Sequence, residues 1–282
     1  MMNDADSLAD MAVNALIEEL DLFPKPGLVS PVDCGSHNDM DYALLRRSAE
    51  SLREPFREIA AAPNPSFESL VELGLSAERR MMAATDGINT HRGAIFALGL
   101  LVAAAAADPE SPRRAVQLRW SDALLQHSKD GVNADSHGAQ VRRQSSATGA
   151  RGEAAAGFPS VFELALPRFR ALIDAGKPRE AAGIETLFLL IAHVEDTNLY
   201  HRGGAAGAAF ARQRARDFLD AGGVNAPNWK STAIEIHGEF VSRNLSPGGG
   251  ADLLAATIFA FEQGQQFSAD SAKTRLATPM AL

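Results

Sequence analysis

The stretch that decides the fold runs from Ala94 to Ala107 and reads AIFALGLLVAAAAA. Alanine and leucine are strong helix formers, and a helix that is apolar on every side is stable only when the rest of the protein surrounds it. The stretch is shorter than the roughly 20 residues that cross a bilayer. It therefore predicts a helix at the centre of a protein core, and no membrane span.

Outward from this stretch, the chain stays rich in alanine and leucine, with polar residues at helical spacing. Alternating runs of β-branched and aromatic residues, which are typical of half-buried strands, are nearly absent. The sequence therefore predicts an all-α protein, with helices near residues 7–20, 41–61, 67–84, 91–107, 113–127, 160–175, 179–195, 205–221, 229–243 and 250–264.

The segments between these helices contain the usual helix breakers, but none of them resembles a domain linker, and no internal repeat is visible. We therefore expect one compact domain over residues 1–282. The longest segment, 128–159, is unusual for a structureless loop inside a compact domain. It is either a working loop or a segment that contains short helices.

Composition excludes several classes of protein. The formal net charge is −8 and no long run of lysine and arginine exists, so we expect no binding to nucleic acid. Cys34 is the single cysteine, so no internal disulfide can form, and the N-terminus lacks the pattern of a signal peptide. These features predict a cytoplasmic protein. They leave the oligomeric state open, and a homo-oligomer is compatible with them.

The first candidate binding segment begins at Lys25, where prolines stiffen the backbone and Gly27 permits a tight turn beside a cation that can meet phosphate. Asp39 and Asp41 follow, and they can bind Mg²⁺ or cap the helix that begins there. Spacing alone favours the cap. His37 alone is more typical of a surface or hydrogen-bonded histidine than of a ligand.

The second candidate segment precedes the apolar helix and contains Asn89, His91 and Arg92. Backbone N–H groups at a helix N-terminus attract anions, and Arg92 can add a forked pair of hydrogen bonds to a phosphate. The alternative is that Asn89 or Thr90 caps the helix while His91 and Arg92 face water. The residues alone leave both interpretations open.

The third candidate segment is rich in glycine and contains His137, Arg151 and Glu153. Arg151 can contact an anion, and Glu153 can transfer a proton or bind a metal. The alternative is a flexible loop with an exposed ion pair. Ser136 and His137 are adjacent in sequence, which does not place a nucleophile opposite a base, so we predict no serine hydrolase.

The fourth candidate segment places Asp196 at the end of a predicted helix, followed by Arg202, Gly203 and Gly204. A carboxylate at a helix C-terminus opposes the helix dipole, which costs stability unless a metal or cation compensates it. We therefore interpret this dense polar cluster as functional rather than as surface decoration.

A related glycine-rich turn follows near the end of the chain and contains Ser246 and Gly248. Successive backbone N–H groups in such a turn can form a concave site for an anion. The alternative is a plain connection, in which Asp252 begins the last helix. The sequence does not decide between the two.

Taken together, these motifs resemble those of the triphosphoribosyl-dephospho-CoA synthase family. They occur in the family order over nearly the whole chain, which makes the combination specific although each motif is weak by itself. The motifs are Lys25 to Val29, Gly35 to Asp41, Asn89 to Phe96, Gly149 to Glu153, Asp196 to Asn198, Arg202 to Gly204 and Ser246 to Gly249.

The resemblance implies a ribosyl transfer in which the 2′-hydroxyl of 3′-dephospho-CoA attacks the anomeric carbon of ATP and adenine departs. In this family the product goes to a separate nucleotidyltransferase, which loads it onto the acyl carrier protein of citrate lyase or malonate decarboxylase. The run that begins at Asn89 and the turn at His201 look more like the malonate decarboxylase branch.

Such a reaction needs a carboxylate near the sugar, a proton donor near adenine and a base for the acceptor hydroxyl. Glu153 is the expected base, with His91 or His137 assisting adenine. Asp39, Asp41 and Asp196 are the expected ligands of Mg²⁺ on the triphosphate. The expected substrate-binding residues are Lys25, Gly27, Asn89, Arg92, Arg151, Arg202, Gly203, Gly204, Ser246 and Gly248.

Two other classes of function stay open from the sequence. A metal-dependent all-α hydrolase of nucleotides or ADP-ribose would use the same carboxylates to activate water. A non-catalytic helical partner of a decarboxylase complex would bind no ATP, and packing alone does not require so many polar glycine turns. The products of a reaction with ATP distinguish these alternatives.

Overall fold

The computed structural model describes residues 5–129 and 149–277. These residues form α-helices joined by short loops, with one π-helical turn and one 3₁₀ turn, and they contain no strand. The all-α prediction is therefore confirmed. His137, one of the two candidate proton donors, lies outside the described residues.

The helices follow the sequence periodicity closely. Their bounds are α1 (Ala5–Asp21), α2 (Tyr42–Ser51), α3 (Arg53–Ala61), α4 (Phe67–Ala84), α5 (Arg92–Ala107), α6 (Pro112–Lys129), α7 (Gly149–Ala155), α8 (Leu166–Asp174), α9 (Arg179–His193), α10 (Thr197–Asp220), α11 (Trp229–Ser242) and α12 (Gly248–Ala277). The π-helical turn is Ser160–Ala165 and the 3₁₀ turn is Gly223–Asn225.

Helix α5, which contains the apolar stretch, lies at the centre of the core. Helices α1, α3, α4, α6 and α12 pack around it. Leu98 and Val102 are completely buried there, and each such side chain contributes about 1.5 to 3 kcal/mol to stability. In the described part of the chain no single helix is long and apolar enough to cross a membrane, and α5 and α6 meet that test only together, across a bend of 113°.

Four details differ from the sequence prediction. The predicted helix 41–61 is two helices, because Pro55 lacks an N–H and its ring would collide with the carbonyl of Ser51 in a continuous helix. Residues 197–204 were predicted to be a non-helical connection, but they form the start of α10. Within α10, Gly204 has a non-helical backbone with φ of 62°. The last helix continues past residue 264, and the short helix α7 lies within the long segment 128–159.

Candidate active site

Residues from distant parts of the sequence surround one cavity of about 900 Å³. The loop that follows α1 forms one wall, and the N-terminal ends of α5, α10 and α12 form others. The N-terminal ends of three helices at this cavity favour anions, although Glu19, Asp39 and Asp252 also line it. The predicted residues that line it are Lys25, Asp39, Asn89, His91, Arg92, Arg202, Ser246 and Gly248.

Lys25 is almost completely buried at the bottom of this region. Its Nζ donates hydrogen bonds to the backbone carbonyl and to Oε1 of Glu19, both at 2.8 Å. Burial lowers the pKa of Lys25, and the contact with Glu19 partly offsets that effect. Gly27 has φ of 66°, which confirms the tight turn predicted beside the lysine. Lys25 therefore forms a buried ion pair that adjoins the cavity.

Arg202 is held by a network that joins three segments of the chain. Its Nη1 donates to the Ser36 carbonyl at 2.8 Å and to Asn244 Oδ1 at 2.9 Å, while Nη2 lies 3.1 Å from His37 Nδ1. His37 Nε2 lies 2.9 Å from the hydroxyl of Ser246. Burial, and then the charge of Arg202, lowers the pKa of His37. The network therefore holds the Arg202 charge in a fixed position beside a neutral imidazole.

The glycines beside Arg202 serve packing and backbone conformation. A Cβ on Gly203 would lie 2.5 Å from the Leu245 side chain, so this position needs glycine for close helix packing. Gly204 has open space around it, but its φ of 62° is a conformation that favours glycine. Both residues therefore act through local structure that positions Arg202.

His91 occupies the N-cap position of α5 without capping the helix through its side chain. Its Nδ1 lies 2.8 Å from the hydroxyl of Ser48, which lies 2.6 Å from the hydroxyl of Thr90. Of the two interpretations left open by the sequence, the one in which Asn89 or Thr90 caps α5 and His91 faces water is not what the structure shows, because His91 is the N-cap residue and is 8% exposed. Arg92 does face outward, and its Nε lies 2.9 Å from Oε2 of Glu78.

Burial, followed by the charge of Lys25, lowers the pKa of His91 to about 4. We expect the free energy of unfolding to fall by about 3 kcal/mol as pH decreases from about 6.5 to 4, because the unfolded chain then binds a proton that the folded chain excludes. His91→Asn, which keeps a partner for Ser48, should remove this part of the pH dependence. Denaturant unfolding of both proteins across that range tests it, and equal pH dependence would contradict it.

The three predicted metal ligands do not form one site. Asp41 caps α2 by accepting from the Leu44 N–H at 2.8 Å, and Asp39 is exposed beside His37. Among residues 5–129 and 149–277, no three histidine, cysteine or acidic side chains gather where they could hold a metal ion. The proposed triad of Asp39, Asp41 and Asp196 is therefore not assembled.

Asp196 lies at the start of a helix and not at the end of one. Helix α9 ends at His193 because Val194 is extended, and Asp196 then caps α10 by accepting from the Asn198 N–H at 2.8 Å. Its Oδ2 also accepts from the Gly250 N–H at 2.9 Å, in the first turn of α12. The inference of an opposed dipole was therefore wrong, because both helices place their positive ends at this carboxylate.

A smaller cavity of about 270 Å³ adjoins the first. Phe96 and Phe158 give it an apolar lining, and Glu153 on α7 is one of its acidic residues. Glu153 Oε1 accepts from the Ser160 N–H at 2.7 Å, and burial raises the pKa of Glu153 although this bond opposes the shift. Arg151 lies half-buried on the same helix, outside the lining found for either cavity.

Gly93 and Asp252 line both cavities and so mark the place where they meet. Asp252, in the first turns of α12, accepts a hydrogen bond from the Ala94 N–H at the start of α5. A Cβ on Gly93 would lie 2.0 Å from Asp252 Oδ2, so only glycine admits the carboxylate. From the sequence, Asp252 was interpreted only as a possible start of the last helix. Its place at the junction depends on the packing of α5 against α12, which leaves no local sequence pattern.

The fold and the site define an all-α protein of the enzyme type, with a large cavity beside three helix N-termini and one carboxylate, Asp252, at its junction with a second cavity. The model of the family "ATP:dephospho-CoA triphosphoribosyl transferase" matches residues 5–271. The chain belongs to this family, and it is therefore a transferase.

Several curated proteins are similar to this chain over most of their length, and each is named "Probable 2-(5''-triphosphoribosyl)-3'-dephosphocoenzyme-A synthase". One from Acinetobacter calcoaceticus is 39% identical over 91% of this chain and 91% of its own. One from Stutzerimonas stutzeri is 41% identical over 90% of this chain and 91% of its own. One from Pseudomonas putida is 40% identical over 92% of this chain and 95% of its own. No solved structure matches the chain.

Proposed function

We propose that this chain transfers the triphosphoribosyl group of ATP to the 2′-hydroxyl of 3′-dephospho-CoA and releases adenine. The observation that carries the proposal is that most of the family motifs, from Lys25 to Gly248, line one cavity, while Glu153 lines the adjoining one. Membership of the transferase family supports the reaction, and two adjoining cavities are consistent with separate binding of donor and acceptor.

ATP occupies the larger cavity in this proposal. Its triphosphate lies near Arg202 and the N-terminal ends of α5, α10 and α12, where fixed positive charge and backbone N–H groups favour phosphate. Ser246 and Asn89 line the same cavity and can donate further hydrogen bonds. The ribose then extends toward the junction with the smaller cavity, from which the acceptor hydroxyl approaches.

In the transfer, a bond forms between the acceptor oxygen and the anomeric carbon while the bond from that carbon to adenine breaks. Glu153, in the smaller cavity, takes the proton from the acceptor hydroxyl. His91, which is neutral at physiological pH, donates an N–H hydrogen bond to the departing adenine rather than acting as an imidazolium. Adenine then takes a proton from water, and Glu153 returns its proton to the solvent. His137 stays an alternative donor.

Mg²⁺ is expected to arrive with ATP, since this ion is typically bound by one or two carboxylates together with substrate phosphates. Asp39 fits that chemistry, because its exposed carboxylate lines the larger cavity while Asp41 and Asp196 serve as helix caps. The ion would offset the charge of the triphosphate. Asp39 would hold it beside Arg202 and His37.

We also propose which pathway uses the product. The sequence around Asn89 and His201 supports the malonate decarboxylase branch over the citrate lyase branch. The product would pass to a separate cytoplasmic nucleotidyltransferase that acts on an acyl carrier protein. Genes for malonate decarboxylase subunits beside this gene would support the assignment, and citrate lyase genes in their place would contradict it.

The test of the reaction is incubation of the purified chain with ATP, Mg²⁺ and 3′-dephospho-CoA. Adenine should appear in equal amount with a heavier CoA derivative, both followed by chromatography and mass spectrometry. Omission of the acceptor should largely suppress adenine release, because a transferase protects its donor from water. ADP or AMP as the product, or adenine release that does not need the acceptor, would favour a hydrolase.

A further inference from the structure

Asp252 is the carboxylate at the junction of the two cavities, where donor and acceptor must meet. Its position depends on two features of α5: the Ala94 N–H donates a hydrogen bond to it, and Gly93 leaves the space that its Oδ2 occupies. No ion pair links Asp252 to a cation within residues 5–129 and 149–277. The fold therefore holds this carboxyl group at a fixed point with no cation to pair with its negative charge.

The surroundings make this charge costly in the free protein. Burial, and then the charges of Asp196 and Glu19, raises the pKa of Asp252 well above its ordinary value. The described lysine and arginine side chains of the larger cavity contact other groups. Lys25 contacts Glu19, and Arg92 contacts Glu78. Arg202 contacts Ser36, Asn244 and His37. A carboxylate kept in such a place interacts strongly with any positive charge that develops beside it.

Positive charge develops on the ribose when its bond to adenine breaks before the new bond has formed. With ATP in the larger cavity and the acceptor hydroxyl in the smaller one, the anomeric carbon lies where the cavities meet. We propose that Asp252 is the catalytic carboxylate that faces this carbon and stabilises the ribosyl cation in the transition state. The inference rests on the proposed function and leaves proton transfer to Glu153.

The first test is Asp252→Asn, which keeps the shape of the side chain and an oxygen for the Ala94 N–H. We expect kcat for adenine release to fall by about 10²- to 10³-fold, as when one electrostatic contact to a transition state is removed, with KM for both substrates within about threefold. The melting temperature at neutral pH should stay the same or rise, since a buried carboxyl group whose ionisation is unfavourable is removed. Asp220→Asn, at the exposed end of α10, is the matched control with wild-type kinetics.

The second test separates charge from shape. Asp252→Ala leaves space beside both cavities, and added formate should restore adenine release at least tenfold above the level of the variant alone. Formamide has a similar size without the charge, so it should restore nothing. A side chain that merely supported the fold would lower the melting temperature when replaced, and formate would not recover the activity.

The outcomes distinguish this inference from the proposed function. An active wild-type enzyme with Asp252→Asn within tenfold of its kcat would overturn the role of Asp252 and leave the proposed reaction intact. Loss of activity in Asp252→Asn with equal rescue of Asp252→Ala by formate and formamide would also overturn it. A wild-type chain that releases no adenine would reject the proposed function, and this assignment with it.

Discussion

Glu153→Gln is expected to lower turnover by about 10²- to 10⁴-fold, because a positioned general base typically contributes that much to a rate. The carboxylate lies in the smaller cavity, and its raised pKa makes it a stronger base than an exposed glutamate. Glutamine keeps an oxygen that can accept from the Ser160 N–H, now 2.7 Å from Glu153 Oε1, so the variant should fold. ATP affinity should change little, because the proposed function places ATP in the other cavity.

Steady-state kinetics of adenine release, with ATP binding measured by calorimetry, tests this prediction. Glu163→Gln is the matched control, since Glu163 lies in the π-helical turn that follows α7 and its side chain is 57% exposed. Turnover within tenfold of the wild type in Glu153→Gln would dismiss Glu153 as the base. A large loss of ATP affinity with turnover preserved at saturation would instead place Glu153 in substrate binding.

Gly27→Ala is expected to lower the free energy of unfolding by about 2 to 5 kcal/mol, the sum of two separate penalties. The left-handed backbone conformation at φ of 66° costs a residue with a side chain about 1 to 2 kcal/mol. A Cβ there would lie 2.0 Å from the backbone carbonyl oxygen of Leu245, and relief of such crowding costs about 1 to 3 kcal/mol more. Because the same contact joins the Lys25 loop to the Ser246 turn, the larger cavity should also be distorted.

Denaturant unfolding of Gly27→Ala measures the total penalty. Gly176→Ala separates its two parts, because Gly176 has φ of 76° with nothing within 4 Å of an added Cβ. The control should lose only about 1 to 2 kcal/mol from the backbone conformation. Equal losses at the two positions would mean that the contact between Gly27 and Leu245 adds no constraint.

The site combines positive and negative groups that the fold holds in fixed positions. Lys25 and Arg202 are each fixed by contacts within the protein, which lowers the reorganisation needed when a polyphosphate arrives. Asp196 and Asp252 sit at the N-terminal ends of helices, where backbone N–H groups tolerate a carboxylate that burial would otherwise disfavour. The protein therefore holds opposite charges within one site without pairing all of them.

Local sequence predicted the helices because their signals are local. Apolar residues at helical spacing and the helix breakers between them depend on neighbours a few positions away, so the bounds of α4 and α5 agree with prediction to within a residue. The same local rule failed at Asp196, because the extended residue Val194 ends α9 and turns a supposed helix end into the cap of the next helix. The predicted helix ended at residue 195 and the observed one ends at His193. This small difference places Asp196 at the positive end of a helix dipole instead of the negative end.

By itself, the sequence determined the all-α class, the central buried helix and, through the order of its motifs, the family. Only the tertiary structure decided which polar residues work together, because that depends on how helices far apart in sequence pack. In the folded protein His91 and Lys25 are buried, and Asp41 and Asp196 cap helices. Asp252 of α12 lies against Gly93 of α5. Gly93 and Asp252 are far apart in sequence, and no sequence pattern links them. They belong to the same site only because the starts of α5 and α12 pack together, so that the Asp252 carboxylate fills the space left by the missing Cβ of Gly93.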